Sequence, residues 1–393
     1  MLVLFGAVLG AAIASRHARI PYTVGLVVMG LIIGALPHHP KIQLTPDLVM
    51  LVFLPALLFA GAWTYPTSLL RRNWLPIALL ATVGVLISIL VSWIVLVRFA
   101  GLAPQTALLF GAIVAATDPV SVISVFRAMR ADDQLIAIVE GESLFNDATA
   151  VIAFKVTLLL SVVTTHVTAA APLVDFVELL VGGAVVGVLV GVVGLLVLRL
   201  TDDYVIEALG SLVIAYGSYF VAEWIHASGL VAVIVAGMFL SRVGSRFGSF
   251  TSTRQSVNQL WEFIAFAANS MLFLLVGLAI NFGELRSSLV AAAWGIVAIA
   301  VARVISVYGL SRLSGLLGRV LPLAWQHIFF LGGLRGALSM ALVLSLPASL
   351  AQRDLLVAMV FSVVLFTIVA QGLAIAPALL RLRLSPEQAP DRS

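Results

Sequence analysis

Stretches of about twenty apolar residues, repeated along the chain between short polar clusters, limit what it can become. A helix needs about 20 mostly apolar residues to cross the hydrocarbon core of a bilayer. Within lipid, only helices and closed barrels satisfy their own backbone groups. Division at the polar clusters predicts spans over 1–15, 20–36, 46–63, 74–99, 105–129, 134–164 and 172–200. Further spans follow over 204–225, 227–241, 257–282, 288–313, 325–346 and 354–380. The expected fold class is an all-α polytopic membrane protein with about 13 transmembrane helices. Composition agrees: charged residues are 10% of the chain and hydrophobic ones 62%, where soluble proteins carry roughly 25% charged residues. Met1 to Ser15 has no basic leader and no polar mature domain after it, so it reads as a first span and not a cleaved signal.

The loops test this division. Numbered by the span they follow, the odd loops and the C-terminal end hold fourteen Lys and Arg, among them Arg71, Arg72, Arg127, Arg130, Arg312 and Arg319. The even loops hold four: Lys41, Arg98, Arg286 and Arg353. Basic residues favour the cytoplasmic side, so the bias predicts an outside N-terminus and a cytoplasmic C-terminus in a plasma (inner) membrane. The net charge of +4 is then a topological signal, and no nucleic-acid partner is expected. Cysteine is absent, which excludes disulfides, thiol catalysis and Cys-ligated metal. No loop is long enough for a soluble regulatory domain.

Two spans are interrupted. The fifth contains Thr117-Asp118-Pro119, and the twelfth contains Gly332-Gly333-Leu334-Arg335-Gly336. Proline removes a backbone donor and disfavours helical geometry at the residue before it. Thirteen spans divide into six, a linker and six, and the breaks then fall at matching places in the two halves. The expectation is a pair of inverted six-helix repeats, about 1–164 and 204–384, with crossed discontinuous helices and a linker helix over about 172–200.

The chemistry gathers between Ala116 and Val151, where Asp118, Glu142 and Asp147 stand inside apolar runs. A charge at that depth costs about 2.5–3.5 kcal/mol on insertion scales and normally marks a functional site. On the sixth span, Glu142, Ser143, Asn146 and Asp147 fall within a sector of about 140°. That face carries two carboxylates, an amide and a hydroxyl. Hard monovalent cations such as Na⁺ take several oxygen ligands, and Asp118 with the Thr117 carbonyl at the break would add more. The same carboxylates can bind protons, since burial and like charge both favour the neutral form of a carboxyl group. Competition between cation and proton for one site, combined with movement only when the site is loaded, is a complete exchange mechanism. Asp147 is read as the exchanging carboxylate. Arg303, mid-span in the eleventh helix, is read as the structural ion-pair partner of Glu142, and Arg335 as compensation for helix dipoles at the second break.

Other ionisable residues receive plainer readings. Glu140 caps the sixth helix near the interface, Lys155 snorkels in a structural role, and Glu178, Glu207, Glu223 and Glu262 lie near span ends or at helix contacts. Glycines from Gly182 to Gly194 read as close helix packing. The histidines show no metal-ligand spacing. The chain has no P-loop and no nucleophile–base set, which argues against an ATP-driven pump or a hydrolase. Neither enzymatic activity nor a cofactor is expected beyond the transported cation and proton.

These residues resemble a known family, the monovalent cation:proton antiporter-1 family of Na⁺/H⁺ exchangers in its bacterial or archaeal form. The resemblance rests on Arg19 to Gly34, F-L-P-A-L-L-F-A from Phe53, A-T-D-P from Ala116, G-E-S-L-F-N-D from Gly141 and G-G-L-R-G-A from Gly332. It implies a homodimer with a dimerisation domain and a mobile core, elevator-like movement, and a role in pH homeostasis. It also implies ion ligation by Asp147, Asp118, Ser143 and the Thr117 backbone, with Glu142 paired to Arg303. The Asn146-Asp147 pair looks like the branch that exchanges one cation for one proton electroneutrally. The sequence departs from the family in the third span, where members often carry an acid and this chain has Ala60. K⁺/H⁺ exchange on the same scaffold is the alternative reading. A cation channel fits less well, since competitive binding of cation and proton argues for a carrier, and so does an organic-anion symporter, since an anion site wants net positive charge.

Overall fold

The structure, a computed structural model, describes residues 6, 8–11, 13, 21–36, 45–162, 171–200, 203–244, 254–279, 289–382 and 384. The expected first span lies largely outside these residues, as do Arg16, Arg19, Lys41, Arg246, Arg286 and Arg383. The elements among the described residues are all helices, with no strand among them. The helices are α1 (Tyr22–Gly34), α2 (Leu48–Thr64), α3 (Thr67–Phe99), α4 (Pro104–Ile113), α5 (Val120–Ala128) and α6 (Asp133–Val162). They continue with α7 (Ala171–Leu198), α8 (Tyr204–Trp224), α9 (Gly229–Gly244), α10 (Arg254–Ala279) and α11 (Leu289–Leu316). The last three are α12 (Leu323–Leu331), α13 (Ala337–Leu344) and α14 (Arg353–Arg381).

Each expected span from the second onward has a helical counterpart, and the two interrupted spans are each two short helices. The boundary that differs most is the start of the fourth span. The fourth span was expected from Trp74, with Arg71 and Arg72 in a loop. Instead α3 begins at Thr67, and both arginines stand on an amphipathic first segment that kinks at Asn73 (φ −115°, ψ 18°). Asn73 Nδ2 donates to the Leu69 carbonyl at 3.1 Å, and Pro76 supplies no N–H for the next turn. An apolar-run criterion misses this segment because its exposed face carries Ser68, Arg71 and Arg72.

Depth in the bundle varies. The most apolar window of α6 is 61% buried and that of α7 only 28%. The carboxylate-bearing helix therefore runs through the interior, and α7 presents Val181, Val185 and Leu189 outward. An all-round apolar helix left this open needs lipid or another apolar surface around it. Gly183 and Gly187 face α9, where a side chain would meet the Ser228 and Ala232 carbonyls. The tightest crossing joins α1 to α10. A Cβ on Gly30 would meet Gly277 Cα at 2.9 Å, and one on Gly277 would meet Gly30 Cα at the same distance. Only backbone fits between these two helices, as at other small-residue contacts in membranes.

Candidate functional site

The two breaks are bonded to one another. After α4 ends at Ile113, the chain is extended through Asp118, whose N–H donates to the Leu334 carbonyl at 2.8 Å. In return, Ser339 Oγ on α13 donates to the Ile113 carbonyl at 2.8 Å. Each break thus supplies partners for backbone groups that the other leaves open, as burial requires.

The glycines of the second break make room for charge. A Cβ at Gly336 would overlap the Asp118 carboxylate, and one at Gly333 would meet Arg303 Nε at 2.7 Å. Asp118 Oδ1 also accepts from Val120 N at 3.1 Å, the first helical residue of α5. The carboxylate therefore lies against the N-terminal ends of both α5 and α13, where helix dipoles favour negative charge. At the opposite pole, Arg335 Nη1 donates to the Gly333 carbonyl at 2.7 Å, just past the end of α12. Arg335 N donates to Thr367 Oγ1 at 3.0 Å, and its side chain is 2% exposed.

Helix α6 lies against the first break. Ser143 Oγ donates to the Thr117 carbonyl at 2.7 Å. Asn146 grips Thr117 twice: its Nδ2 donates to Thr117 Oγ1 at 2.5 Å, and its Oδ1 accepts from Thr117 N at 3.3 Å. Both ends of that amide face Thr117, and Asn146 is buried behind the cavity wall. Asn146 thereby ties α6 to the broken strand at Thr117. Glu142 points the other way along α6, and both its carboxylate oxygens accept from Arg303. Arg303 additionally donates from Nε and Nη2 to the Phe329 carbonyl at 3.1 and 2.8 Å. With Glu142 2% and Arg303 9% exposed, this is a desolvated pair that binds α6, α11 and α12 together, and each charge depends on the other.

A cavity of 560 Å³ opens beside these groups, lined by Thr117, Asp118, Ser143 and Asp147 among others. Asp147 makes no hydrogen bond or ion pair among the described residues, and it lies close enough to Asp118 for their charges to interact. A carboxylate facing water, a second carboxylate, a hydroxyl oxygen and a carbonyl together form an oxygen-rich pocket suited to a small cation or a proton. The cavity wall also holds polar residues outside the site assignment, among them Glu140, paired with Arg127 at 3.6 Å, Tyr22, Glu262 and Asn269. Their sequence carries no sign of it, since hydropathy does not distinguish a helix face on water from one on lipid. Lys155 donates to both Glu223 oxygens at 2.8 and 2.9 Å, joining α6 to α8.

Comparison with known proteins follows from this geometry. A family profile described as "Sodium/hydrogen exchanger, transmembrane" matches residues 3–381. The chain belongs to the sodium/hydrogen exchanger family. Within that family it is 39% identical over 401 residues to the Na(+)/H(+) antiporter ApNhaP of Aphanothece halophytica, an alignment covering 100% of this chain and 76% of that protein. It is 39% identical over 361 residues to the low-affinity Na(+)/H(+) antiporter NhaS1 of Synechocystis sp., covering 90% and 68%. The fold matches the sodium proton antiporter MjNhaP1 of Methanocaldococcus jannaschii, with a TM-score of 0.77 over 97% of each chain at 23% identity. The exchanger family is the one the motifs resemble, and this member is a multi-pass membrane protein.

Proposed function

We propose that this exchanger moves Na⁺ (or Li⁺) against H⁺ across the plasma membrane, one for one and without net charge. One observation carries the reading: a cavity reaches Asp147, whose carboxylate has no protein partner among the described residues, beside Asp118, Ser143 and the Thr117 backbone. A carboxylate in that position binds either a cation or a proton, and occupancy by one excludes the other. The relatives' names as Na(+)/H(+) antiporters support the same assignment. In this reading Asp147 exchanges, and Asp118, Ser143 and Thr117 complete the cation's oxygen shell. Asn146 keeps Thr117 in place, Glu142 and Arg303 fasten α6 to α11, and Arg335 offsets the carbonyl end of α12.

The same reading makes the protein a homodimer in which each protomer carries two inverted repeats, about 1–164 and 204–384, with a linker helix over about 172–200, and the core moves as an elevator. It sets the N-terminus outside and the C-terminus in the cytoplasm. Arg127, Glu140 and Glu262 line the cavity near helix ends that border the arginine-rich loops, so the cavity opens inward. In proteoliposomes, an imposed Na⁺ gradient should drive proton movement without generating a membrane potential. Li⁺ and K⁺ run alongside would set the cation order. Proton movement indifferent to every monovalent cation would overturn the proposal.

A further inference from the structure

We propose that Glu262 is a cation-capturing residue of this exchanger: a fixed negative charge on the cavity wall that draws the cation in before it reaches Asp147. The inference rests on the exchange reading above. Helix α10 gives one face to the cavity through Glu262, Ala265, Phe266, Asn269 and Leu272, the spacing of a single helical stripe. From Glu262 to Asn269 this stripe rises about 10 Å. The facing wall holds Asp118, Ser143 and Asp147.

Four carboxylates line this cavity, and their partners differ. Asp118 accepts from Val120 N and lies at two helix ends. Glu140 is offset by Arg127 at 3.6 Å. Asp147 is the exchanging group. Glu262 has neither a hydrogen bond nor an ion pair among the described residues, and it is exposed. Its backbone is nonetheless held firmly: the preceding residue, Trp261, is fully buried and donates from Nε1 to Ser211 Oγ at 3.0 Å. The neighbouring wall helix α2 lines the cavity with Leu54, Leu57, Leu58, Ala60, Gly61 and Thr64 and brings no charge. Glu262 is therefore an unneutralised charge held in position on its side of a cleft with low-dielectric walls, the arrangement that focuses a field and raises the local concentration of counter-ions.

The effect belongs to cation capture and leaves the exchange step to Asp147. In proteoliposomes, Glu262→Gln and Glu262→Ala should raise the apparent KM for Na⁺ about three- to tenfold, with maximal rate within about twofold of wild type. Glu262→Asp should keep the wild-type KM. Added N-methyl-D-glucamine chloride, which screens charge without entering the site, should raise KM in wild type and change it much less in Glu262→Gln. An unchanged KM in Glu262→Gln overturns the inference. So does a fall in maximal rate alone, or loss of monodisperse protein in both neutral variants, since either outcome makes the residue structural. Wild-type protein that moves no protons in response to Na⁺ overturns the exchange reading and this inference with it. Wild-type exchange with an unshifted Glu262→Gln overturns this inference alone.

Discussion

At the scale of single residues, the site depends on which carboxylates have partners. Asp147 has none among the described residues, so its removal should take away ion and proton binding together. Asp147→Ala is expected to reduce Na⁺-driven proton flux at least about a hundredfold, the effect of losing a group that acts directly on the transported ion, while Asp147→Glu retains part of it. Proteoliposome flux at matched protein density checks this, and wild-type flux in Asp147→Ala would remove the central residue. Glu142 is the reverse case. Its partner Arg303 is 9% exposed, so Glu142→Gln leaves a buried cation unmatched at a cost of about 3–5 kcal/mol. The expected result is a clear drop in melting temperature in detergent, with part of the loss recovered when Arg303→Gln is added. These two carboxylates are five residues apart on one helix, and the sequence alone separates them only through the demand that Arg303 find an anion. Asn146 shows the limit of that method. Its place on the polar sector is legible, but helical periodicity does not show that its amide bonds to Thr117 on the neighbouring strand.

At the scale of elements, the crossed breaks are the decisive construction. T-D-P and G-G-L-R-G are legible as breaks because proline and paired glycines interrupt an apolar run. Their mutual bonding is not legible, since it depends on the Asp118 N–H meeting the Leu334 carbonyl. It also explains why the second break has glycine where it does. Gly336→Ala would push a methyl group into the Asp118 carboxylate; overpacking of this kind costs typically about 1–3 kcal/mol. The expected outcome is a folded protein whose exchange is reduced about tenfold or more, with the apparent KM for Na⁺ raised. Flux measurements together with size-exclusion chromatography test this, and normal exchange in Gly336→Ala would show that the carboxylate position is not critical. The misplaced start of α3 has a different origin: Ser68, Arg71 and Arg72 on the exposed face of Thr67–Ala78 lower its mean hydropathy, so a span-length criterion passes over it.

At the scale of the whole molecule, competition at one site gives a pH dependence with a definite sign. As pH falls, protons occupy the carboxylate and the apparent KM for Na⁺ rises, approaching tenfold per pH unit where protonation dominates. As pH rises, KM falls to a floor set by the cation alone. Saturating Na⁺ should bring the rates at different pH values together. KM independent of pH, with only maximal rate changing, would separate the proton site from the cation site. The molecule's all-helical class was legible from hydropathy. The cavity was not, because the sequence places Glu262 and Asn269 on one stripe of α10 without showing whether that stripe meets a cavity or a neighbouring helix.

The glycine crossing of α1 and α10 has a mechanical consequence. Two helices in backbone contact at Gly30 and Gly277 have no side chains between them to repack, so they neither slide nor rotate without collision. One wall of the cavity is therefore an anvil. The opposite wall is built from half-helices whose breaks are bonded to one another through Asp118 N–H to Leu334 and Ser339 to Ile113. A bulky residue at position 30 or 277 would wedge the anvil open, and the damage would reach the ion through geometry while leaving every charged side chain in place.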